Sequence, residues 1–269
     1  MKRIVISSGH GLLIRGARGI IDEVDEARRV TDRVSDILRG AGIQVNTFHE
    51  NNARTQAENV GAIVRHHNSQ VRDLDVSIHF NSTATGAIEE RGIGIETLYR
   101  IGNAITRQLA RDVSREISNV SRLILRNNGN TIQGAWARNN LGFLNNTNQN
   151  AILIEVCFVN SRTDVRLYQQ HFEEICRAIA ETISDQAISP PKALSPEDFR
   201  EITAWPTVNI KMAPNQITVP AELISGRWRW AVSLHDGTVA EINLRDTLEA
   251  LGFTSLEWDR ASNTIIAGV

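Results

Sequence analysis

The chain has 269 residues, only two cysteines and a formal net charge of −2 at pH 7. Two cysteines are too few for a disulfide-stapled scaffold, and this charge does not supply the basic surface that nucleic-acid binding needs. No apolar run approaches the roughly 18 residues of a membrane span, so we expect no membrane insertion. The length favours two domains, one of them larger than the other.

Strands and helices alternate through the first part of the chain. The apolar run RIVIS predicts a strand, and the segment EVDEARRVTDRVSDILRGAG predicts a helix that ends at glycine. The same criteria predict strands in IQVNTF, LDVSIHF and GIGIETLY, and helices in NNARTQAENVGAIVRHHN and IGNAITRQLARDVSREI. This order of elements indicates an α/β fold.

The rest of the chain divides at a proline-rich segment. The Asn- and Gly-rich stretch 121–150 predicts loop with short ordered pieces, and AILIEVCFV predicts a strand before a helix over 161–183. We therefore predict an α/β domain over 1–187, a linker over 188–203 and a small α+β domain over 204–269. Short strands and one helix, LRDTLEALGF, are expected in the small domain.

Three ionisable side chains lie at or near the ends of predicted strands: His10, His79 and Glu155. Ligands of open α/β sheets bind outside the carboxyl ends of the strands, so these residues are expected to converge. An ionised glutamate in an apolar strand needs a compensating partner, and a metal would provide one. Two histidines and a carboxylate around an open position are typical of catalytic zinc, beside which a free carboxylate serves as general base.

The segment IIDEVDEARR offers four acids for the third ligand position: Asp22, Glu23, Asp25 and Glu26. An acid in a first helical turn also favours the helix dipole, and Asp22 is a candidate N-cap, so the residues alone leave the choice open. For His10 and His79 the alternative is a histidine satisfied by backbone hydrogen bonds. The other histidines are expected at the surface and not as ligands: His49, His66, His67, His171 and His235.

Four motifs in this order resemble the zinc-dependent N-acetylmuramoyl-L-alanine amidases of the type 3 family, over about residues 2–187. They are VISSGHG, EVDEARRVTDRVSDILRGAGIQV, DVSIHFNS and ILIEVCFVNSRTDVRLY. The resemblance implies a mixed, mostly parallel sheet flanked by helices, zinc bound by His10, Glu23 and His79, and Glu155 as general base. Glu26 is the alternative to Glu23, and GLLIRGARG departs from the family's usual loop after the first histidine.

The resemblance implies hydrolysis of the amide that joins N-acetylmuramic acid to L-alanine in bacterial peptidoglycan. Zinc would polarise the carbonyl and activate water, while Glu155 would move the proton to the departing amine. We expect a wall-lysing enzyme, a phage endolysin or an autolysin, made in the bacterial cytoplasm without a signal peptide. It would reach the wall through a holin-type pore or on lysis of a mother cell, with no obligate protein partner. The alternatives are an inactive wall-binding protein and a zinc peptidase that cuts within the stem peptide.

Residues 206–269 resemble the copper amine oxidase N-terminal-like (stalk) domain, through INLRDTLEALGF and LEWDRASNTII. One histidine and no cysteine in this segment argue against copper chemistry. We expect this domain to bind the cell wall, with Trp228 and Trp230 stacking on sugar rings. These two tryptophans share a strand face, so the alternative is that both belong to a small core.

Overall fold

The computed structural model describes residues 2–188 throughout and, beyond residue 206, the backbone of seven strands. The chain forms two compact units, residues 1–188 and 189–269. Among the described residues, no helix has the length and apolar character needed to cross a lipid bilayer.

The first unit is built around a seven-stranded sheet with the strand order β2-β1-β3-β7-β4-β6-β5. Neighbouring strands run parallel except at the β7–β4 and β6–β5 pairs. This arrangement confirms the predicted α/β fold with a mixed, mostly parallel sheet. The elements are β1 (Arg3–Ser8), α1 (Glu23–Gly40), β2 (Gln44–Phe48), α2 (Gln56–Ser69), β3 (Leu74–Asn81), β4 (Glu96–Arg100), α3 (Ala104–Ser121), β5 (Thr131–Ile132), β6 (Ala135–Arg138), α4 (Gly142–Asn146), β7 (Asn150–Phe158), α5 (Arg162–Gln170) and α6 (Phe172–Ser184).

Two helices replace the single helix predicted over 161–183. Ser161 caps α5 by accepting a hydrogen bond from the Asp164 backbone N–H, and α6 begins after His171. The backbone of His171 has φ −119° and ψ 27°, which is not helical and interrupts the element. Apolar spacing continues across this interruption, which explains why the sequence pattern predicts one helix.

Alternation along β7 sends its side chains to two different layers. Ile152, Ile154 and Val156 join the main core formed with α1, α3 and α6. Leu153 faces the opposite way, into a smaller cluster with residues of α2 and α4. Because strand side chains alternate, Glu155 shares the face of Leu153. It therefore lies near the end of β7, on the side of the sheet that α2 and α4 flank.

A buried polar network lies beneath this face and corrects the prediction that His67 is at the surface. His67 is fully buried, and its ring nitrogens contact Ser7 Oγ at 2.9 Å and Asp75 Oδ1 at 2.8 Å. The Arg72 Nε donates to the same Asp75 oxygen at 2.5 Å. Burial lowers the pKa of His67, which favours the neutral ring. Complete burial of this Ser, His and Asp set makes it a structural network.

In the second unit the strands form two sheets. One contains β10 (Glu222–Ile224), β11 (Arg227–Ser233) and β12 (Val239–Asn243) in antiparallel order. The other has the order β13-β14-β8-β9, with β8 (Thr207–Met212), β9 (Gln216–Pro220), β13 (Ser255–Asp259) and β14 (Thr264–Gly268). Trp228 and Trp230 lie two residues apart on β11, and their side chains lie outside the described residues. So do residues 189–203 of the predicted linker and the predicted helix LRDTLEALGF.

We expect Asp75→Ala to lower the free energy of unfolding by about 3 kcal/mol, because it leaves the buried Arg72 guanidinium without its charge partner. Asp112→Ala is the matched control, since it removes an acid whose partner Arg115 is half exposed, and its cost should stay below about 1 kcal/mol. Urea denaturation of both variants beside the parent protein measures the difference. Equal stability of the two variants would contradict a stabilising role for the buried network.

Candidate metal centre

His10, Glu23 and His79 come together at the carboxyl end of β1 and β3. One possible ligand atom from each lies within 4.8 Å of the others. The Glu23 Oε1 is 3.0 Å from His79 Nδ1 and 3.5 Å from His10 Nε2. Two imidazoles and one carboxylate are the donor set that catalytic zinc prefers, so these residues fit a zinc ion by their chemistry.

Backbone hydrogen bonds hold the Glu23 carboxylate in place. The Phe80 N–H donates to Oε1 at 3.1 Å, and the Ala17 N–H donates to Oε2 at 2.6 Å. Glu23 is the first residue of α1, and Asp22 caps that helix by accepting a hydrogen bond from the Val24 N–H. The cap thus fixes where the helix begins, and with it the direction of the Glu23 side chain.

Two glycines make room for the ligands. A Cβ at Gly9 would lie 1.8 Å from His79 Nε2, so the histidine ring packs directly over the glycine backbone. A Cβ at Gly16 would lie 2.3 Å from Glu23 Oε2, and Gly16 also has a φ of +67°, which disfavours other residues. The motif SGHG therefore combines a candidate ligand with the space that the second histidine needs.

The four acids of the first α1 turn separate into different environments. Asp22 caps the helix, and Asp25 forms an ion pair with Arg15. The Glu26 carboxylate accepts a 2.5 Å hydrogen bond from the Tyr168 hydroxyl. Only Glu23 of these four joins the histidine pair in the metal-ligating cluster found in the described residues. The arrangement favours Glu23 over Glu26 as the third ligand.

The protonation of the three residues is coupled through Glu23. Burial lowers the pKa of His10, which favours a neutral ring with a lone pair free for a cation. For His79, burial is outweighed by the hydrogen bond to Glu23 and by nearby carboxylates, and its pKa is raised. The same hydrogen bond lowers the pKa of Glu23 against the effect of its burial. The shifts of His79 and Glu23 favour a protonated ring beside an ionised carboxylate, so a cation bound here would take the place of the proton on His79.

Glu155 lies next to this cluster, because it is paired in register with His79 across the β3–β7 ladder. Its Oε2 is buried and has no hydrogen-bond partner in the described part of the chain. Burial and the neighbouring acids Glu23 and Glu96 raise the pKa of Glu155 to about 8, although His79 lowers it. A carboxyl group with this pKa can both accept and release a proton near neutral pH.

The structure also brings Glu96 to this edge, a residue that the sequence analysis does not identify. Glu96 begins β4 opposite Glu155, is fully buried, and forms an ion pair with Arg126. The Asn81 amide donates to Glu96 Oε1 at 2.7 Å. The signal that identifies Glu155, a carboxylate inside an apolar strand, is present in GIGIETLY as well and could have identified Glu96.

Residues 4–185 match the family described as N-acetylmuramoyl-L-alanine amidase. The chain belongs to this family. The match covers nearly all of the first unit, from β1 to α6, and contains the candidate ligands and Glu155. The family is the one that the sequence motifs resemble.

Solved amidase structures share the fold. The catalytic domain of the CD27L endolysin, which targets Clostridia difficile, superposes with a TM-score of 0.60 at 22% identity, covering 70% of this chain and all of that domain. The CwlD amidase from Clostridioides difficile, solved in complex with the GerS lipoprotein, gives 0.58 at 19% identity, covering 69% of this chain and 98% of CwlD.

An uncharacterized protein of Clostridium perfringens is a relative in sequence. It is 27% identical over 187 residues, which cover 69% of this chain and 52% of the relative. The chain thus spans about half the length of the curated relatives that it matches.

We expect Glu23→Gln to weaken zinc binding by more than about 100-fold, because loss of a ligand should exceed the 10- to 100-fold effect of losing a residue that only supports one. Glu26→Gln is the matched control, since its carboxylate contacts Tyr168, and it should retain the parent affinity. Competition with a chromophoric chelator measures both constants. Normal affinity in Glu23→Gln with a loss in Glu26→Gln would reverse the assignment.

Proposed function

We propose that this amidase family member hydrolyses the amide between N-acetylmuramic acid and L-alanine in peptidoglycan, using one zinc ion held by His10, Glu23 and His79. The observation that carries the proposal is the position of Glu155 on the strand next to this ligand set, with its Oε2 buried and without a hydrogen-bond partner among the described residues. Membership of the amidase family supports the choice of bond.

Three residues would hold the metal, and Glu155 would transfer the proton. When bound, zinc would act as a Lewis acid that polarises the carbonyl and lowers the pKa of a bound water. Glu155 takes a proton from the attacking water at its carboxylate and delivers it to the departing L-alanine nitrogen. Burial and neighbouring acids raise the pKa of Glu155 to about 8, and the charge of a bound cation would lower it towards neutral pH. Near neutrality a carboxyl group can carry out both halves of this exchange. The backbone N–H groups of Ala17 and Phe80 would keep the Glu23 carboxylate beside the two histidines throughout the reaction.

In the cell we propose a lytic role, as an endolysin or an autolysin that acts on the wall after leaving the cytoplasm where it is made. The shared fold of the CD27L endolysin domain is compatible with such a role, and so is the fold of CwlD, a bacterial amidase. We further propose that the second unit binds the wall through Trp228 and Trp230, as its resemblance to a stalk domain implies.

Digestion of purified peptidoglycan by the zinc-loaded protein tests the reaction. We expect new L-alanine amino termini, no new reducing sugar ends, and loss of the activity with chelator. Amino termini of other stem-peptide residues would indicate a zinc peptidase instead. Binding to walls without new ends of any kind, across several wall types, would indicate an inactive wall-binding protein.

Glu155→Gln should lower the rate at which new L-alanine amino termini form by about 10²- to 10⁴-fold while its zinc content stays unchanged, because it removes only the proton carrier. Glu174→Gln, the same change at an exposed position on α6, is the matched control and should keep the parent rate. A Glu155→Gln variant with full zinc and full activity would contradict the assigned role.

A further inference from the structure

An arginine stands at the edge of the sheet beside the proposed catalytic centre, and the reaction described above does not use it. The Arg126 N–H donates to the Ile95 carbonyl at 3.0 Å, which places it next to the start of β4. Its guanidinium forms an ion pair with Glu96, the residue opposite Glu155. Arg126 is therefore one strand away from the proposed general base.

Aromatic rings hold this guanidinium in a defined position. Its Cζ is 4.7 Å from the ring centroid of Phe158 and 5.7 Å from that of Trp136. The Cζ of Arg138 lies 4.3 Å from the same Trp136 ring, so two cations flank one half-buried indole. We name Arg126, Trp136 and Arg138 the arginine cluster. Such a cluster orders its charges before any ligand arrives, because cation–π contacts restrict the side chains.

Arg126 retains donors for a further partner. Its hydrogen bond to Glu96 uses Nη1, no other guanidinium hydrogen bond of this residue is found within residues 2–188, and 21% of its side chain is exposed. A guanidinium offers five N–H groups in a planar fork that matches a carboxylate. The ion pair with Glu96 balances the charge of Arg126. The remaining N–H groups of the guanidinium are left for a further partner, and part of the side chain is exposed at the edge of the site.

The chemistry of peptidoglycan identifies the group that would meet this fork. The sugars of the glycan strand are uncharged, since the lactyl carboxyl of N-acetylmuramic acid is consumed in the amide that is cut. Free carboxylates belong to the stem peptide, and the first that follows L-alanine is the α-carboxylate of the D-glutamyl residue. This carboxylate lies about 7 Å from the cut bond, a span of two residues along the peptide. From Glu155 to Arg126, one strand spacing of about 4.8 Å plus an ion-pair contact covers a similar distance.

We propose that the arginine cluster binds the α-carboxylate of the D-glutamyl residue of the stem peptide, with Arg126 as the principal contact. The inference rests on the proposed function and specifies how the substrate would be oriented in the site. The stem peptide would lie over β4 and β6, and the glycan strand would lie on the side of the His10 loop. Walls in which this carboxylate is amidated should then be poorer substrates.

The test uses two preparations of one peptidoglycan, which carry the D-glutamyl α-carboxylate either free or enzymatically amidated. For the parent enzyme we expect initial rates of formation of L-alanine amino termini that differ by roughly tenfold or more in favour of the free carboxylate, as expected for a charge-assisted hydrogen bond. The double variant Glu96→Gln/Arg126→Gln removes both members of the ion pair, so no buried charge is left alone. It should reduce the ratio of the two rates to about one.

Arg115→Gln, the same change at an exposed position on α3, should keep the parent ratio. A parent ratio near one would overturn the inference. So would a double variant whose rates on both preparations fall by the same factor, because the ratio would then keep its parent value. Arg126 would in that case act only as the counter-charge of Glu96. If the parent enzyme forms no new L-alanine amino termini on either preparation, the proposed function itself fails, which is distinct from a loss of preference.

Discussion

The rest of the site depends on the contacts that the Glu23 carboxylate makes with His10 and His79. This carboxylate joins the histidine after β1 to the histidine near the end of β3, and two backbone N–H groups fix both of its oxygens. The helix cap at Asp22 and the glycines at 9 and 16 all act on these contacts, by setting where α1 begins and by making space. A site of this kind is preorganised, because its ligands are oriented by packing and hydrogen bonds before a metal binds.

Charge balance explains how one edge of the sheet tolerates so many buried acids. Glu96 has Arg126 as its partner, whereas Glu23 and Glu155 rely on His79 and on the proposed metal. Burying carboxylates without partners would cost several kcal/mol each, so the fold would not retain them here for stability alone. In this account the arrangement serves proton transfer on one side and substrate binding on the other.

Much of this site could be predicted from the sequence because strand ends identify it. His10, His79 and Glu155 stand out as ionisable residues at or near the ends of apolar strands, and the structure brings them to one edge. Glu23 could not be separated from three nearby acids without the family resemblance, since helix caps and metal ligands use the same residue types. The prediction that His67 lies at the surface is wrong, because the sequence does not show that Asp75 and Ser7 form hydrogen bonds with its buried ring. Arg126 lies in a stretch without periodicity, so no pattern indicated its pairing with Glu96.

The most direct test of this account is X-ray diffraction from crystals of the zinc-loaded protein, measured on both sides of the zinc absorption edge. We expect one strong anomalous peak, about 2.0 to 2.2 Å from a nitrogen of His10, a nitrogen of His79 and an oxygen of Glu23. Glu155 should lie beside this peak without binding it. A peak at other residues, or one that Glu155 ligates in place of Glu23, would contradict the account.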